Sequence, residues 1–384
     1  MRQFIPYGKQ FIDEKDIEAV ETVLKSDWLT TGPKVDEFEK SISKYIGCKY
    51  ATVVNSGTSG LDLAVQALKQ GNGLEIITTP FTFAATSNAI IYNNLVPVFA
   101  DIKENTRNID PDDINRKISD KTAAIIYVDY AGHPCDIKEI KEIADENNLF
   151  LIEDASHAIG SEYNNKKIGN YADMTIFSFH PVKNITTGEG GAVVTNNTEF
   201  DKDLKSLRNH GIDQDLHQRQ SKMDYMYDIK ELGRNYRITD FQCALGISQL
   251  KKLDSFISKR EKLANLYSKL LNNIDFIETP VNVGNIKNAW HIYTILLKKG
   301  VNRDDFFKYM KKCNIGVNVH YIPIYRFSYY KKHYTIDPVD YPVTEEVFNR
   351  IVTLPLYPQL KTEQVEYVCE KIRDYNRFKG EKNE

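Results

Sequence analysis

The sequence predicts an α/β protein: a large domain on a mostly parallel sheet covered on both faces, then a smaller α/β domain. Three observations carry that expectation. Between about Lys49 and Thr195, short apolar runs alternate with helical patterns. The runs are apolar at successive residues instead of every second one, as strands buried on both faces require. After about Tyr236 the texture changes to a long helical stretch, then to strands interleaved with helices.

Taken in order, residues 51–55 form a buried strand, and a helix follows over 61–68 with Leu61, Val65 and Leu68 on one side. Further strands are expected over 76–79, 97–100, 123–129, 149–154, 174–179 and 191–195, with a helix over 137–147. A helical stretch over 240–271, broken near Asp254, leads out of the large domain. Strands near 291–297, 316–321 and 351–354 belong to the small domain, and 380–384 is a frayed tail. This places the large domain, with an N-terminal arm, at 1–250 and the small domain at 251–384.

Composition narrows the function. The chain has 384 residues, enough for two domains, and 41% hydrophobic with 27% charged residues excludes wholesale disorder. Lys+Arg 50 against Asp+Glu 53 leaves a net charge of -3. That balance argues against a non-specific nucleic-acid binder and against a polybasic membrane-surface protein. The longest apolar runs, such as Ala123 to Val128, are too short to span a bilayer, and Met1-Arg2-Gln3-Phe4-Ile5-Pro6 lacks the apolar core of a secretion signal. Cys48, Cys135, Cys243, Cys313 and Cys369 are scattered, with no Cys-x-x-Cys pair, so neither a disulfide framework nor a zinc site is expected. The expectation is a soluble, cytoplasmic protein without a metal.

In an open parallel sheet, ligands bind beyond the carboxyl ends of the strands, and three polar clusters fall there. The first is Asn55-Ser56-Gly57-Thr58-Ser59-Gly60, where a strand ends and a helix opens. Small residues let an anion approach the free N–H groups of a helix start, although an ordinary helix cap has the same composition. It is neither a Walker loop nor G-x-G-x-x-G, and Gly188-Glu189-Gly190-Gly191 precedes a strand instead of a helix. The second cluster is Glu153-Asp154-Ala155-Ser156-His157, in which Asp154 is either a cap or the partner of a cationic ring nitrogen. The third is Phe177-Ser178-Phe179-His180-Pro181-Val182-Lys183, followed by a Gly-rich turn. A single lysine is usually a solvated charge, but Lys183 sits between a strand and that turn, at the rim of the sheet. Desolvation there would lower its pKa and let the amine form a Schiff base with an aldehyde. An anion site, a carboxylate and such an amine are what pyridoxal 5′-phosphate needs, with Phe81 or Phe83 as an aromatic lid.

These same residues resemble the DegT/DnrJ/EryC1/StrS sugar-nucleotide aminotransferases: Asn55-Ser56-Gly57-Thr58-Ser59, the stretch 80–88, Ile152-Glu153-Asp154-Ala155-Ser156-His157, and 177–191. The resemblance covers nearly the whole chain. It implies the fold-type I aminotransferase arrangement, with a seven-stranded, mostly parallel sheet in the large domain, working as a homodimer with shared active sites. By resemblance Lys183 is the Schiff-base lysine, Asp154 the pyridine-nitrogen partner, Phe83 the stacking aromatic, and His157 a residue beside the ring. Gly57, Thr58 and Ser178 match phosphate binders, and Asn235 matches the residue that reaches the other subunit's phosphate. Some relatives are dehydratases with histidine in place of the lysine; lysine stands here, which favours transamination.

Val128-Asp129-Tyr130-Ala131-Gly132, Gly160-Ser161-Glu162-Tyr163, Asn165-Lys166-Lys167 and 319–325 resemble a subgroup that works in pseudaminic acid assembly. Its members aminate C4 of the UDP-linked 4-keto sugar UDP-2-acetamido-2,6-dideoxy-β-L-arabino-hexos-4-ulose, with L-glutamate as donor and 2-oxoglutarate as product. The resemblance implies substrate contacts from Tyr7, from Asp27, Trp28, Leu29 and Thr30, from Gly57, Ser178 and Asn235, and from Asn318, Val319, His320 and Tyr321. Trp28 and Asn318 stand where glutamines are expected, which leaves perosamine-type or bacillosamine-type 4-amination open. A non-catalytic cofactor-binding regulator, an amino-acid transaminase and a desulfurase of the same fold type are the rivals. Intact Lys183 and Asp154 speak against the first, and the lack of a cysteine in an evident motif against the last.

Overall fold

The computed structural model describes residues 3–212 and 226–380, so the expected frayed tail lies outside the described residues from 381 onward. The first half of the chain lays down β1 (Tyr50–Val54), β2 (Glu75–Thr78), β3 (Val96–Phe99), β4 (Thr122–Val128), β5 (Phe150–Asp154), β6 (Glu162–Tyr163), β7 (Lys166–Lys167), β8 (Met174–Ser178) and β9 (Gly191–Thr195). Seven of these form one sheet in the order β1-β9-β8-β5-β4-β2-β3. Pairing from β8 across to β3 is parallel, whereas β9 runs antiparallel to both β8 and β1. The reason is the connection: β8 reaches β9 through a Gly-rich turn with no crossover helix, and a turn can only reverse the chain.

Around the sheet lie α1 (Glu14–Leu24), α2 (Pro33–Ile46), α3 (Gly57–Ala67), α4 (Ala84–Tyr92), α5 (Pro111–Lys117), α6 (Ile137–Asn147), α7 (Thr198–Arg208), α8 (Asp240–Leu250) and α9 (Leu253–Leu271). Alternate strand residues serve opposite faces. Val53, Ile125, Tyr127, Leu151 and Phe177 pack with α2, α6 and α9 in one core. Val54, Ala124, Ile126, Ile152 and Ile176 pack with α3 and α7 in the other. Burial on both faces is why the strand runs are apolar throughout.

The expected helix over 61–68 begins earlier, at Gly57, because Ser56 caps it: the Ser56 Oγ accepts from the Ser59 N–H at 3.0 Å. The helical stretch over 240–271 breaks at residues 251–252, between α8 and α9. The rest of the chain carries a second sheet, fully antiparallel, of β10 (Ile277–Glu278), β12 (Tyr293–Leu297) and β13 (Ile351–Leu354). A small three-stranded ribbon joins β11 (Ile286–Lys287) to β6 and β7. Helix α9 straddles both units: Leu253, Phe256 and Ile257 lie in the first core, Leu263, Tyr267 and Leu271 in a core with β12 and β13. Ile5 of the N-terminal arm is buried in that same second core.

One expected strand does not form. Residues 316–321 pair only at Asn318, which exchanges backbone hydrogen bonds with Thr353 at 3.2 and 2.8 Å. Beyond it the Val319 N–H is taken by the Asn318 Oδ1 at 2.8 Å, and the His320 carbonyl accepts from the Tyr130 hydroxyl. Side chains satisfy the backbone groups that a ladder would have used, and the segment bends toward the first unit.

Candidate active site

Where β1, β5 and β8 end, the chain builds one cavity of about 590 Å³. Its floor at one end is the start of α3. Gly57 is buried against β8, and a Cβ there would stand 2.9 Å from the Ser178 Cβ, so the close approach requires glycine. Gly191, the first residue of β9, passes so near that a Cβ would lie 2.7 Å from the backbone of Ser56. This is what the Gly-rich run before β9 does: it lets β9 slide under the helix start. Thr58 is exposed and lines the cavity with Gly57 and Ser178. Free N–H groups and a positive dipole end there make an anion site.

Asp154 is the last residue of β5 and is buried. It caps no helix. Its Oδ1 accepts from the Ser156 N–H at 3.2 Å and the Ser156 hydroxyl at 2.6 Å, and its Oδ2 from the Thr86 hydroxyl at 2.8 Å. Thr86 is tied in turn to Thr82 at 2.9 Å, so α4 and β5 hold the carboxylate in one orientation. Lys183 follows β8 in a turn closed by its own N–H to the His180 carbonyl at 2.9 Å. Burial pushes its amine down to about 8, with the Asp154 charge pulling the other way. An amine lowered toward neutrality and a locked carboxylate therefore line the same cavity.

Phe83 and Phe81 separate cleanly. Phe83, at the N-cap of α4, is exposed and lines the cavity, 6.2 Å from the Tyr321 ring. Phe81 is fully buried against Tyr130, so the aromatic-lid reading falls to Phe83 alone. His157 is buried, with its Nε2 2.9 Å from the Tyr321 hydroxyl. The far wall is Asn318, Val319, His320 and Tyr321, with Tyr7 stacked obliquely on His320 at 5.6 Å. The His320 ring is fixed by Thr353 Oγ1 at 2.8 Å, and burial beside Lys183 lowers it to about 4, so it is neutral.

Two expected groups lie elsewhere in the single chain. Asp27, Trp28, Leu29 and Thr30 form an exposed turn at the start of α8, where Thr30 bridges to Thr239. Asn235 is also exposed, in a segment bridged to Asn209, next to Tyr236, whose carbonyl accepts from the Asn55 N–H. Neither turn lines the cavity. Conversely, Thr86, Tyr130 and His291 touch Asp154, His320 and His157 without having been expected as site residues. His291 is buried with its ring 4.3 Å from that of His157. Only its place at the head of an expected strand hinted at it. Among the described residues no cluster of His, Cys, Asp and Glu could hold a metal ion, and no helix is long and apolar enough to cross a membrane.

The groups fit pyridoxal 5′-phosphate: a glycine-lined helix start for its phosphate, a fixed carboxylate for its ring nitrogen, and a depressed amine for its aldehyde. Comparison with known proteins agrees. The sequence profile of the DegT/DnrJ/EryC1/StrS aminotransferase family matches residues 10–373. A Campylobacter jejuni protein named UDP-4-amino-4,6-dideoxy-N-acetyl-beta-L-altrosamine transaminase is 41% identical over 373 residues, 96% of each chain. Helicobacter pylori PseC, an aminotransferase involved in the biosynthesis of pseudoaminic acid, superposes with a TM-score of 0.91 at 33% identity, covering 96% of this chain and 98% of that one. The Streptococcus pneumoniae sugar aminotransferase Spr1654, 29% identical and covered to 98%, superposes with TM-scores of 0.90 in its PLP form and 0.91 in its PMP form; both cover 96% of this chain. With sheet order, cavity and full-length similarity in accord, the chain belongs to the DegT/DnrJ/EryC1/StrS family and is a pyridoxal 5′-phosphate-dependent sugar aminotransferase.

Proposed function

We propose that the enzyme transfers the amino group of L-glutamate to C4 of UDP-2-acetamido-2,6-dideoxy-β-L-arabino-hexos-4-ulose, a step toward pseudaminic acid or a related amino sugar. The observation that carries this reading is the joint lining of one cavity by Lys183 and Asp154 on one side and by Asn318 to Tyr321 on the other. The likeness to the Campylobacter transaminase supports the choice of sugar.

In this reading Gly57, Thr58 and Ser178 hold the cofactor's phosphate, Phe83 and His157 flank its ring, and Asp154 keeps a proton on its ring nitrogen. The cofactor, once bound, supplies an electron sink for the carbon that bears the amino group. Lys183 is the residue that would hold the cofactor's aldehyde. Its amine, when free, would serve as the base that takes the proton from the donor carbon and hands that proton on within the site. An amine held near 8 by burial is suited to both directions, since it gains and loses a proton at small cost around neutral pH. Tyr7 and Asn318 to Tyr321 orient the sugar. The exposed turns at Asp27 to Thr30 and at Asn235 would complete the neighbouring subunit's site in a homodimer, a closed two-fold arrangement.

The test is a panel of UDP-, GDP- and dTDP-linked 4-keto-6-deoxy sugars with L-glutamate, read by product mass and by 2-oxoglutarate formed. Amination of the UDP-linked L-arabino-hexosulose in preference to the others is expected. Preference for a GDP-linked sugar or for the D-xylo epimer would replace it with perosamine-type or bacillosamine-type chemistry. Absence of 2-oxoglutarate with any acceptor would overturn L-glutamate as the donor.

A further inference from the structure

The stretch Asp129-Tyr130-Ala131-Gly132 leaves β4 in a tight turn whose path is over-determined. Ala131 has φ 60° and Gly132 φ 93°, both in the left-handed region. At Gly132 a Cβ would stand 3.0 Å from the His157 carbonyl oxygen and 3.0 Å from the Trp290 nitrogen, so the close passage needs glycine. The turn is clamped from several directions. The Ala131 carbonyl accepts from the His291 N–H at 2.9 Å, and the Gly132 carbonyl from the Ser161 hydroxyl at 2.7 Å. The Tyr130 N–H donates to Asn108 Oδ1 at 2.9 Å. Held in this way, the Ala131 N–H donates to His157 Nδ1 at 3.2 Å.

A backbone amide can only donate, so His157 Nδ1 is the bare nitrogen and the ring proton sits on Nε2. Nε2 lies 2.9 Å from the Tyr321 hydroxyl. The histidine is therefore the donor in that bond and the tyrosine oxygen the acceptor. A phenol that accepts still has its own proton to give, and Tyr321 lines the cavity. Burial beside Lys183 and His320 holds the His157 ring well below the usual histidine range, so no second proton arrives on Nδ1 to displace the Ala131 amide.

We infer that the chain from the Ala131 amide through His157 makes Tyr321 a one-way hydrogen-bond donor to an electron-rich ligand oxygen, with His157 as the positioning residue. The inference rests on the reading above, in which the cavity takes the cofactor and a keto sugar. The acceptor is the cofactor's ring oxygen or the sugar's keto oxygen, both of which gain from a donor as negative charge develops nearby.

Ring nitrogen-15 NMR of the holoenzyme at neutral pH tests the polarity. A bare Nδ1 and a protonated Nε2 are expected for His157, and the opposite tautomer overturns the inference. Tyr321→Phe tests the donation: kcat/KM for the sugar falls about 10- to 100-fold, the range of a lost hydrogen bond to a group bearing charge. If the ring oxygen is the acceptor, the absorption of the bound cofactor shifts and the glutamate half-reaction slows as well. If the keto oxygen is, the spectrum and that half-reaction are unchanged. Both half-reactions within about twofold of wild type, with an unshifted spectrum, would overturn the donor role. His157→Gln, whose amide reaches the Nε2 position, retains about fivefold more activity than His157→Asn, whose amide does not. Equal activities would overturn the positioning role. Failure of wild type to aminate any sugar would count against the proposed function, whereas the tautomer is read independently of turnover.

Discussion

Replacing Asp154 by Asn separates charge from shape. The amide oxygen keeps both bonds from Ser156, and the Thr86 hydroxyl can turn to accept from the new amide nitrogen while donating to Thr82. The fold is then disturbed by no more than about 1 kcal/mol, the worth of one exchanged hydrogen bond. What disappears is the negative charge. A carboxylate beside a cationic nitrogen raises that nitrogen's pKa by about 1–3 units, and each unit is about 1.36 kcal/mol. The protonated fraction of the ring nitrogen therefore falls roughly 10- to 1,000-fold, and we expect turnover to drop about 100-fold while cofactor is still bound. A second readout comes from Lys183, whose amine Asp154 pulls upward; without that charge its midpoint falls below 8. Steady-state kinetics with glutamate and the 4-keto sugar, cofactor titration and thermal unfolding give the three quantities. An Asp154→Asn enzyme of wild-type rate and near-wild-type stability would refute the charge argument and reduce Asp154 to a structural anchor for Ser156 and Thr86.

Lys183→Ala and Lys183→Arg both abolish transamination, since a guanidinium keeps the charge but does not condense with an aldehyde; turnover by either purified variant refutes the assignment. In the wild-type apoprotein, cofactor capture should accelerate as pH rises through about 8 and then level off, because burial disfavours the ammonium form. A rate still climbing steeply above pH 10 would mean an ordinary surface lysine. Gly57→Ala forces a Cβ to within 2.9 Å of the Ser178 Cβ; we expect cofactor affinity to fall about tenfold, or about 1.4 kcal/mol, by equilibrium dialysis. Unchanged affinity would move the phosphate away from the α3 start. Mixing Lys183→Ala with a variant altered at Asn235, Arg234 and Arg237 should restore about a quarter of the sites after subunit exchange, one per heterodimer. No recovery despite proven exchange, with the turn variant itself inactive, would put the turn in its own subunit's site.

The sheet was legible because its strands are buried on both faces: β4 is apolar from Ala123 to Val128, and every residue of β8 is buried, as a doubly covered strand requires. The candidate site was legible where chemistry dictates residue type, in that the expected residues line one cavity. Lys183, Asp154 and Gly57 are each the residue that an amine, a charge partner and a close approach demand. Residues that act through geometry were not. Phe81 and Phe83 are two positions apart in sequence, yet one is core and the other cavity wall, and only the path of the chain into α4 separates them. Residues 316–321 carry a strand-like pattern, but backbone bonds to the Asn318 and Tyr130 side chains end the ladder after one pair. The two-residue strands β6, β7, β10 and β11 are too short to leave a period. The His157 tautomer depends on where a backbone N–H from residue 131 points, and no periodicity or motif records that.

The most direct test of the account is where the cofactor is attached. Holoenzyme treated with borohydride to fix the cofactor on its carrier amine, then digested and mapped by mass spectrometry, should carry the pyridoxyl group on the peptide containing Lys183, with loss of the label after prior conversion by L-glutamate. Label on another lysine, or label that L-glutamate does not remove, would contradict it.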